Sequence, residues 1–302
     1  MPHAPPISVL MPVYNGAAYV HAAVTSILAQ TFGDFELIAV DDGSTDGSLD
    51  ALRALERGDA RVRVVSRPNT GIVGALNDAL AQARGQYLAR MDCDDIALPD
   101  RFARQLAYLT ENPGCVCVGS AVVFTDPFGS PLETFRPPIN HEAIDKQLIK
   151  GFGGAMIHPA VLMRADAVRQ VGEYRKEFEF VEDVDLFLRL AEVGRVANLP
   201  DVLLHYRQHL GSTNRQKSDL QLLRMGKAVG AACKRRNVTP PPASEILMKP
   251  PLERHEQTRR WGWGALKCGY VAAARKHAWI LVKAHPFSVD AWKLVLCTIR
   301  GH

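Results

Sequence analysis

The chain of 302 residues lacks the features of a membrane-spanning or secreted protein. Crossing a bilayer takes about 18 continuous apolar residues, and no stretch of the sequence approaches that length. Residues 1–16 carry no basic segment before their apolar run, and no cleavage site follows it. Apolar residues make up 47% and charged residues 23% of the chain, which excludes a disordered protein. We therefore expect a globular protein of the cytoplasm.

The sequence also lacks a cysteine pattern for a structural metal. Its six cysteines show no zinc-finger spacing. Cys115 and Cys117 stand two residues apart in an apolar run, which places both on one face of a predicted strand. We expect reduced, buried thiols. No internal repeat of fixed period is present.

Acidic residues are scarce in the last third of the chain. Residues 213–302 contain 17 Lys and Arg but 5 Asp and Glu, a net charge of +12, whereas residues 1–212 contain 19 and 27, a net charge of −8. The sequence therefore predicts an acidic domain over 1–212 and a basic, mostly helical region over 213–302, divided after Ser212 at a turn-like Gly-Ser-Thr-Asn. Such asymmetry indicates contact between the basic region and an anionic surface, either nucleic acid or lipid headgroups.

Short β-rich runs alternate with helical patterns over the first half of the chain, which is typical of βαβ units and a mostly parallel sheet flanked by helices. We predict strands at residues 7–13, 35–40, 61–66, 86–91 and 115–124, and helices at residues 17–30, 44–57, 71–83 and 99–110. Residues 127–154 are rich in Pro, Gly and polar residues, so we expect loops there with one short helix near 141–150. Residues 182–193 have helical spacing, and residues 264–299 resemble a helical hairpin.

Polar clusters follow three of these strands, at the edge where open parallel sheets bind their ligands. Residues 12–16 end the first strand, residues 41–46 follow the second, and residues 92–95 follow the fourth. A carboxylate such as Asp41 at a strand end can accept the N–H of uracil, while Ser44 is typical of a helix cap. Tyr14 can pack on the base or form a plain wall of the site.

Three carboxylates fall within four residues at Asp92, Asp94 and Asp95. They repel one another unless a cation lies between them, and Mg²⁺ or Mn²⁺ prefers such carboxylates together with substrate phosphates. The alternative is an acidic turn that precedes the helix beginning at Pro99. Because a second Asp pair shares the same edge of the sheet, we favour a metal and a diphosphate.

Five ordered motifs carry a resemblance to a known family: Pro12-Val-Tyr-Asn-Gly16, Val40-Asp-Asp-Gly-Ser-Thr-Asp46, Asn69-x-Gly71-x5-Asn77, Met91-Asp-x-Asp-Asp95 and Glu182-Asp183. In order and spacing, residues 5–212 resemble the family 2 glycosyltransferases of GT-A fold. Three further segments, at residues 89–95, 157–160 and 206–209, resemble the branch that builds bacterial exopolysaccharide and lipopolysaccharide. The resemblance implies a Rossmann-like α/β sheet, to which the mostly helical region predicted over 213–302 adds a C-terminal extension.

The resemblance implies which residues bind the nucleotide-sugar donor. The base is held at Pro12, Tyr14 and Asp41, with Asp42 beside them. The ribose and diphosphate lie near the loop and helix start at Asn69, Gly71 and Asn77.

The resemblance also implies the metal and the catalytic residue. Arg90 precedes the acidic motif, and Asp92 and Asp94 match the pair that contacts ribose and Mn²⁺ or Mg²⁺, with Asp94 as the direct ligand. Asp183 of the pair with Glu182 matches the general base. One such carboxylate suffices for inversion at the anomeric carbon, and no second nucleophile for a retaining reaction is evident.

Other interpretations apply to these residues taken singly. Glu182 and Asp183 begin a helical run, where acidic residues are favoured by the helix dipole alone. His209 is a candidate third metal ligand or diphosphate contact, and His205 a structural residue. His158 can line the acceptor groove or cap a turn.

The basic region carries all four tryptophans, Trp261, Trp263, Trp279 and Trp292. Tryptophans and cations at helical spacing suit a membrane interface with anionic lipid. The alternative is that each tryptophan packs in the core of a helical subdomain. Because no finger, aromatic RNA-binding strand or helix-turn-helix pattern occurs, we expect no nucleic-acid partner.

The sequence predicts an inverting, metal-dependent transfer of a hexose-type sugar from a UDP-linked donor to a glycan acceptor, in a cytoplasmic enzyme. A lipid-linked acceptor would place the enzyme at the inner face of the cytoplasmic membrane. One alternative is a sugar nucleotidyltransferase, which would be expected to open with a Gly-rich phosphate loop that residues 12–16 do not form. The other is a non-catalytic glycan- or lipid-binding protein of the same fold.

Overall fold

The computed structural model describes residues 4–209, 218–242 and 252–301. It divides into two compact units, each assembled from separate stretches of the chain. The first unit is formed by Met1–Ala121, Arg136–Leu204 and Asp219–Met248, and the second by Val122–Phe135, His205–Ser218 and Lys249–His302. The predicted boundary at Ser212 lies outside the described residues, and the division at that point stays a prediction.

The described strands are β1 (Ile7–Val13), β2 (Phe35–Asp41), β3 (Val62–Ser66), β4 (Tyr87–Arg90), β5 (Ile96–Ala97), β6 (Cys115–Thr125), β7 (Pro131–Phe135), β8 (Leu162–Arg164) and β9 (Arg195–Arg207). The described α-helices are α1 (Val20–Leu28), α2 (Ser48–Gly58), α3 (Ile72–Gln82), α4 (Arg101–Glu111), α5 (His141–Ile149), α6 (Ala165–Gln170), α7 (Glu182–Val193), α8 (Ser218–Arg236), α9 (Arg254–Lys267), α10 (Val271–Ala284) and α11 (Val289–Arg300). None of these helices is both long enough and apolar enough to cross a membrane.

The sheet of the first unit confirms the predicted parallel arrangement. β1 pairs in parallel with β2 on one side and β4 on the other, and β3 extends the sheet beyond β2. β8 then runs antiparallel between β4 and β6. All seven residues of β1 are buried, because helices cover a sheet of this kind on both faces.

Helix α3 shows why the predicted pattern folds as it does. Val73, Leu76 and Leu80 are buried at helical spacing and pack into the same core as Leu10 of β1 and Ile38 of β2. The helix predicted at residues 182–193 has the predicted bounds in α7.

Residues 127–154 were expected to form loops with one short helix, and that expectation is partly wrong. The helix is present as α5, but β7 pairs antiparallel with the end of β6. Asp126 makes the connecting turn, since its Oδ1 accepts the N–H groups of Phe128 and Ser130, both at 2.9 Å. A short strand beyond a turn of this composition was missed because five residues give too little periodicity.

Helices α9, α10 and α11 form a separate core in the second unit. It contains Ala265, Ala274, Leu281 and Leu294. The predicted helical hairpin is therefore the last two of three helices, α10 and α11, with the turn between them beginning at His285.

Part of the basic excess of residues 213–302 is neutralised within the first unit. On α8, Arg235 and Arg236 form ion pairs with Glu192, and Arg236 also pairs with Asp145 at 2.7 Å. These arginines stabilise packing and are not free for an anionic partner.

The cysteines are free thiols. Cys115, Cys117 and Cys233 are buried as expected, whereas Cys268 is exposed just after α9, so the expectation of buried thiols is wrong there.

Candidate active site

The candidate site lies in the first unit, at the carboxyl-terminal edge of β1, β2 and β4. The register pairs Val13 of β1 with Asp41 of β2, and Leu10 of β1 with Arg90 of β4. The three polar clusters that leave these strands therefore begin at one edge of the sheet. This confirms the predicted convergence.

Side-chain hydrogen bonds tie the segment after β1 to the segment after β2. Ser44 Oγ accepts the N–H of Asn15 at 3.0 Å, and Ser48 Oγ accepts the N–H of Gly16 at 2.9 Å. The interpretation of Ser44 as a helix cap is wrong, because α2 begins four residues later, after Gly47 in the left-handed region. The two segments form one connected rim of the site.

The three residues predicted to hold the base differ in how exposed their side chains are. Pro12 is buried within β1, whereas Tyr14 is 55% exposed. Asp41 is buried, and among the described residues its carboxylate has only long contacts, to Ser66 Oγ and to the N–H of Ser44, each at 3.4 Å. Its hydrogen-bonding capacity is therefore incompletely used. The base contacts of all three stay predictions.

Asp42 holds the loop that leads into α3. Its two oxygens accept the N–H of Thr70 at 3.0 Å and the N–H of Gly71 at 2.8 Å. Gly71 has φ of 92°, which favours glycine at this position. Asn69 of the same loop is exposed. The structure thus gives Asp42 a positioning function, while its contact with the nucleotide stays a prediction.

Asn77 binds backbone. Its Nδ2 donates to the carbonyl of Tyr174 at 2.8 Å, and its Oδ1 accepts the N–H of Tyr174 at 3.2 Å. The Tyr174 hydroxyl in turn lies 2.9 Å from Nε2 of His158. Burial, together with the charge of Arg90, lowers the pKa of His158 well below its usual range, which favours the neutral imidazole. No motif of the sequence marks Tyr174 as part of the site.

The acidic motif after β4 forms a compact cluster. One carboxylate oxygen from each of Asp92, Asp94 and Asp95 lies within 4.8 Å of the others. Burial raises the pKa of Asp92, and the charge of Asp94 raises it further. The donor set consists of carboxylate oxygens, which Mg²⁺ and Mn²⁺ prefer, and the mutual repulsion would be relieved by a cation. These residues therefore fit a divalent ion.

Arg90 links this cluster to the predicted catalytic pair. Its Nη1 lies 2.5 Å from Asp92 Oδ2, and its side chain is 3% exposed. The guanidinium lowers the pKa of Asp92, Glu182 and Asp183 alike, although burial raises all three pKa values more strongly. The charge of Asp92 also raises the pKa of Asp183. The two acidic groups are thus electrostatically coupled around one buried cation.

Glu182 and Asp183 occupy the first turn of α7. Burial, assisted by the charge of Asp183, raises the pKa of Glu182 to about 8. Within the described part of the chain, Glu182 Oε2 has no hydrogen-bond partner. Asp183 Oδ1 accepts the N–H of Val184 at 2.8 Å, and burial raises the pKa of Asp183. Simple dipole stabilisation at a helix start would be expected to lower both pKa values, so burial dominates here.

The sequence motifs also did not mark Arg101, a fully buried residue that contacts the end of β4 just before the acidic motif. Arg101 Nη2 donates to the carbonyls of Arg90 at 2.7 Å and Val161 at 3.1 Å, and Nε donates to Gln105. Burial lowers the pKa of Arg101 to about 9. The sequence does contain a hint of this role. A basic residue in the first turn of a helix is disfavoured by the helix dipole, so Arg101 at the start of α4 indicates a specific interaction.

His205 and His209 lie in the second unit. His205 is part of β9, and burial lowers its pKa. His209 follows the same strand. Its role as a metal ligand stays a prediction.

Comparison with known proteins identifies the family. The model described as "Glycosyl transferase family 2" matches residues 8–172, more than half of the chain. The chain therefore belongs to glycosyltransferase family 2, and the predicted enzyme class is confirmed.

The chain is similar to two bacterial polysaccharide enzymes. It is 34% identical over 218 residues to the O-antigen biosynthesis glycosyltransferase WbnJ of Escherichia coli, covering 71% of this chain and 83% of that one. It is 32% identical over 232 residues to the amylovoran biosynthesis glycosyltransferase AmsE of Erwinia amylovora, covering 74% and 86%.

Solved structures show the fold. The mannosyltransferase PcManGT from Pyrobaculum calidifontis, in complex with GDP-Man and Mn²⁺, superposes with a TM-score of 0.59 at 17% identity, covering 99% of this chain and 86% of that one. S. aureus TarS 1-349 in complex with UDP-GlcNAc gives 0.59 at 17% identity, covering 97% and 89%. The fold is GT-A, as predicted.

Proposed function

We propose that this protein transfers a hexose-type sugar from a nucleotide-sugar donor, with inversion, to a glycan in cell-surface polysaccharide biosynthesis. The observation that carries the proposal is the coupling of two acidic groups, Asp92–Asp95 and Glu182–Asp183, around the buried Arg90 at the ligand-binding edge of the sheet. The polysaccharide context is supported by the relatives WbnJ and AmsE.

We assign the donor to the UDP class. Asp41 retains acceptor capacity at a strand end, where it can receive the N–H of uracil, and the exposed Tyr14 directly follows Val13, the residue of β1 that pairs with Asp41. The loop held by Asp42 borders the same edge and brings the N-terminus of α3, a favourable place for a diphosphate. The similar TarS structure contains UDP-GlcNAc, which supports this choice.

Asp94 would hold Mn²⁺ or Mg²⁺, with Asp92 shared between the ion and Arg90. His209 is proposed as a third ligand. A divalent cation supplies charge stabilisation for the departing diphosphate. The chain contributes the rest of the field, because Arg101 fixes the carbonyl at the end of β4 and so fixes where the acidic motif begins.

Asp183 takes the proton of the attacking hydroxyl. As the acceptor oxygen bonds to the anomeric carbon, the bond from that carbon to the phosphate oxygen breaks and the proton passes to the carboxylate. Oδ1 already accepts the N–H of Val184, so we assign the proton to Oδ2. The raised pKa of Asp183 makes it a stronger base than an exposed aspartate. A single displacement of this kind inverts the anomeric carbon.

We propose a lipid-linked glycan as acceptor, used at the inner face of the cytoplasmic membrane. The exposed tryptophans and cations of the C-terminal helices support this assignment. No nucleic-acid partner is proposed.

Thermal unfolding with UDP, GDP, dTDP and CDP, each with and without Mn²⁺, tests the donor and the metal together. A ligand at 100 times its Kd stabilises the folded state by about 2.7 kcal/mol, which shifts the midpoint by several degrees. We expect UDP to stabilise the protein in the presence of Mn²⁺. Asp94→Asn should lose the Mn²⁺-dependent part, whereas Asp50→Asn, an exposed carboxylate on α2, should behave as wild type.

Stabilisation by none of the nucleotides under any metal condition would contradict the proposal. Release of pyrophosphate from UTP and a sugar phosphate would support the nucleotidyltransferase alternative. UDP binding without hydrolysis of any UDP-sugar and without transfer would support the non-catalytic alternative.

A further inference from the structure

Helix α11 has two apolar faces, and only one of them is buried in its own unit. Its inner face contributes Ala291, Leu294 and Val295 to the core of the second unit. Its opposite face exposes Val289, Trp292, Leu296 and Ile299, spaced three and four residues apart. A surface helix normally places polar residues there, so this second face calls for a partner.

The apolar surface extends to the turn before α11 and to α10. Phe287, in the turn, is 96% exposed and Val289 is 83% exposed. The rings of Trp279 on α10 and Trp292 on α11 lie 6.0 Å apart, edge to face. We call the set Trp279, Phe287, Val289, Trp292, Leu296 and Ile299 the outer face.

Trp292, at the centre of the outer face, exposes an apolar ring surface. Trp292 Nε1, the only donor of its ring, gives its hydrogen bond to the carbonyl of Pro286 at 2.7 Å. What the ring still exposes is therefore apolar, and it can enter an apolar medium without leaving a donor unpaired.

The charges beside the outer face that have no ion-pair partner among the described residues are positive. Lys283, Lys293 and Arg300 are exposed on α10 and α11, and none of them forms an ion pair with another described residue. Asp290, the single acidic residue between 271 and 301, is already neutralised: Arg259 Nε donates to it at 2.7 Å.

We propose that the outer face docks this protein on an anionic lipid bilayer. Apolar side chains at helical spacing enter the interface, and the flanking cations meet the lipid phosphates. A symmetric dimer through the same face would bring Lys283, Lys293 and Arg300 of two copies together, which is unfavourable because an isologous interface sets each patch against itself. The proposal rests on the proposed function in one respect: membrane docking serves catalysis because the proposed acceptor is lipid-linked.

Vesicle flotation of the full chain tests the proposal without requiring turnover. We expect the protein to float with vesicles of phosphatidylcholine and phosphatidylglycerol, to float poorly with phosphatidylcholine alone, and to be released by high salt. Lys293→Gln should weaken binding about fivefold, from roughly 1 kcal/mol per cation near an anionic surface. Lys227→Gln, an exposed lysine on α8, is its control.

Leu296→Ser should weaken binding several-fold, and Leu223→Ser should not. The two leucines are a matched pair, since each is 57% exposed on a helix. Phe287→Ser serves as a second variant whose side chain lies outside the packed core, so unfolding cannot explain its loss of binding. Each variant should keep wild-type transfer to a water-soluble acceptor.

Three outcomes would overturn the proposal: no flotation with either vesicle, equal losses in the variants and their controls, or a dimer in solution that Leu296→Ser dissociates. Failure of Mn²⁺ and UDP to stabilise the protein would instead contradict the transfer chemistry and leave the vesicle result untouched.

Discussion

Glu182→Gln should stabilise the protein increasingly as the pH rises. Glu182 is 6% exposed, and burial with the neighbouring charge of Asp183 raises its pKa from 4.5 to about 8. The folded state therefore keeps a proton that the unfolded state loses above pH 4.5. The contribution of Glu182 to the free energy of unfolding is fully present below pH 4.5. It falls as the pH rises from 4.5 through the folded-state pKa of about 8.

The size of the effect follows from the pKa difference. Each pKa unit corresponds to about 1.4 kcal/mol, so wild type loses about 5 kcal/mol through Glu182 by pH 8. Glutamine has nearly the same shape and stays neutral. The variant should match wild type near pH 4.5 and exceed its free energy of unfolding by about 3 kcal/mol at pH 7.

Urea unfolding followed by far-ultraviolet circular dichroism, from pH 5 to 8.5 in the presence of a chelator, measures this difference. Taking variant minus wild type cancels the buried histidines, whose lowered pKa values act in the opposite direction. Glu177→Gln, an exposed position near the same helix, is the control and should leave the pH dependence unchanged. A difference that is flat with pH, or that falls as pH rises, would refute the assignment of a buried proton to Glu182.

Three further changes test other parts of the structure. Asp183→Asn should reduce sugar transfer at least a hundredfold, because an amide cannot take the acceptor proton, while UDP binding in calorimetry stays within twofold of wild type. Asp42→Asn keeps one acceptor for the N–H of Gly71 but loses the charge, so we expect a loss of about 2 kcal/mol in urea unfolding and weaker UDP binding. Lys276→Met leaves the buried Asp126 carboxylate without its 2.6 Å partner, and tryptophan fluorescence should show about 2 kcal/mol less stability; an unchanged urea midpoint would contradict that pairing.

The sequence predicted the parallel half of the fold and the meeting of its polar clusters. Strand periodicity and the turn residues after β1, β2 and β4 are local signals, and parallel pairing brings the strand ends to one edge without further information. The family motifs then supplied roles for Asp94 and Asp183, which stay predictions.

The sequence did not predict the interactions that position those residues. Arg101 contacts Val161 and Tyr174 contacts His158, both distant in sequence, and burial is the largest cause of the pKa shift of each. Asp42 was interpreted as a ligand of the nucleotide, yet both of its oxygens bind loop backbone, a use that only the conformation of residues 70–71 creates. The count of charges in residues 213–302 likewise does not reveal that Arg235 and Arg236 of α8 form ion pairs with acidic residues of the first unit.

The second unit combines the strand β7 with helices that are synthesised more than a hundred residues later. β7 packs against α9, and Lys276 of α10 neutralises Asp126 in the turn before β7. A ribosome that has made only the first 212 residues has therefore produced the hairpin of β6 and β7 without α9 and without Lys276, the ion-pair partner of Asp126. The packing of β7 and the charge compensation of Asp126 therefore wait for synthesis of the last helices.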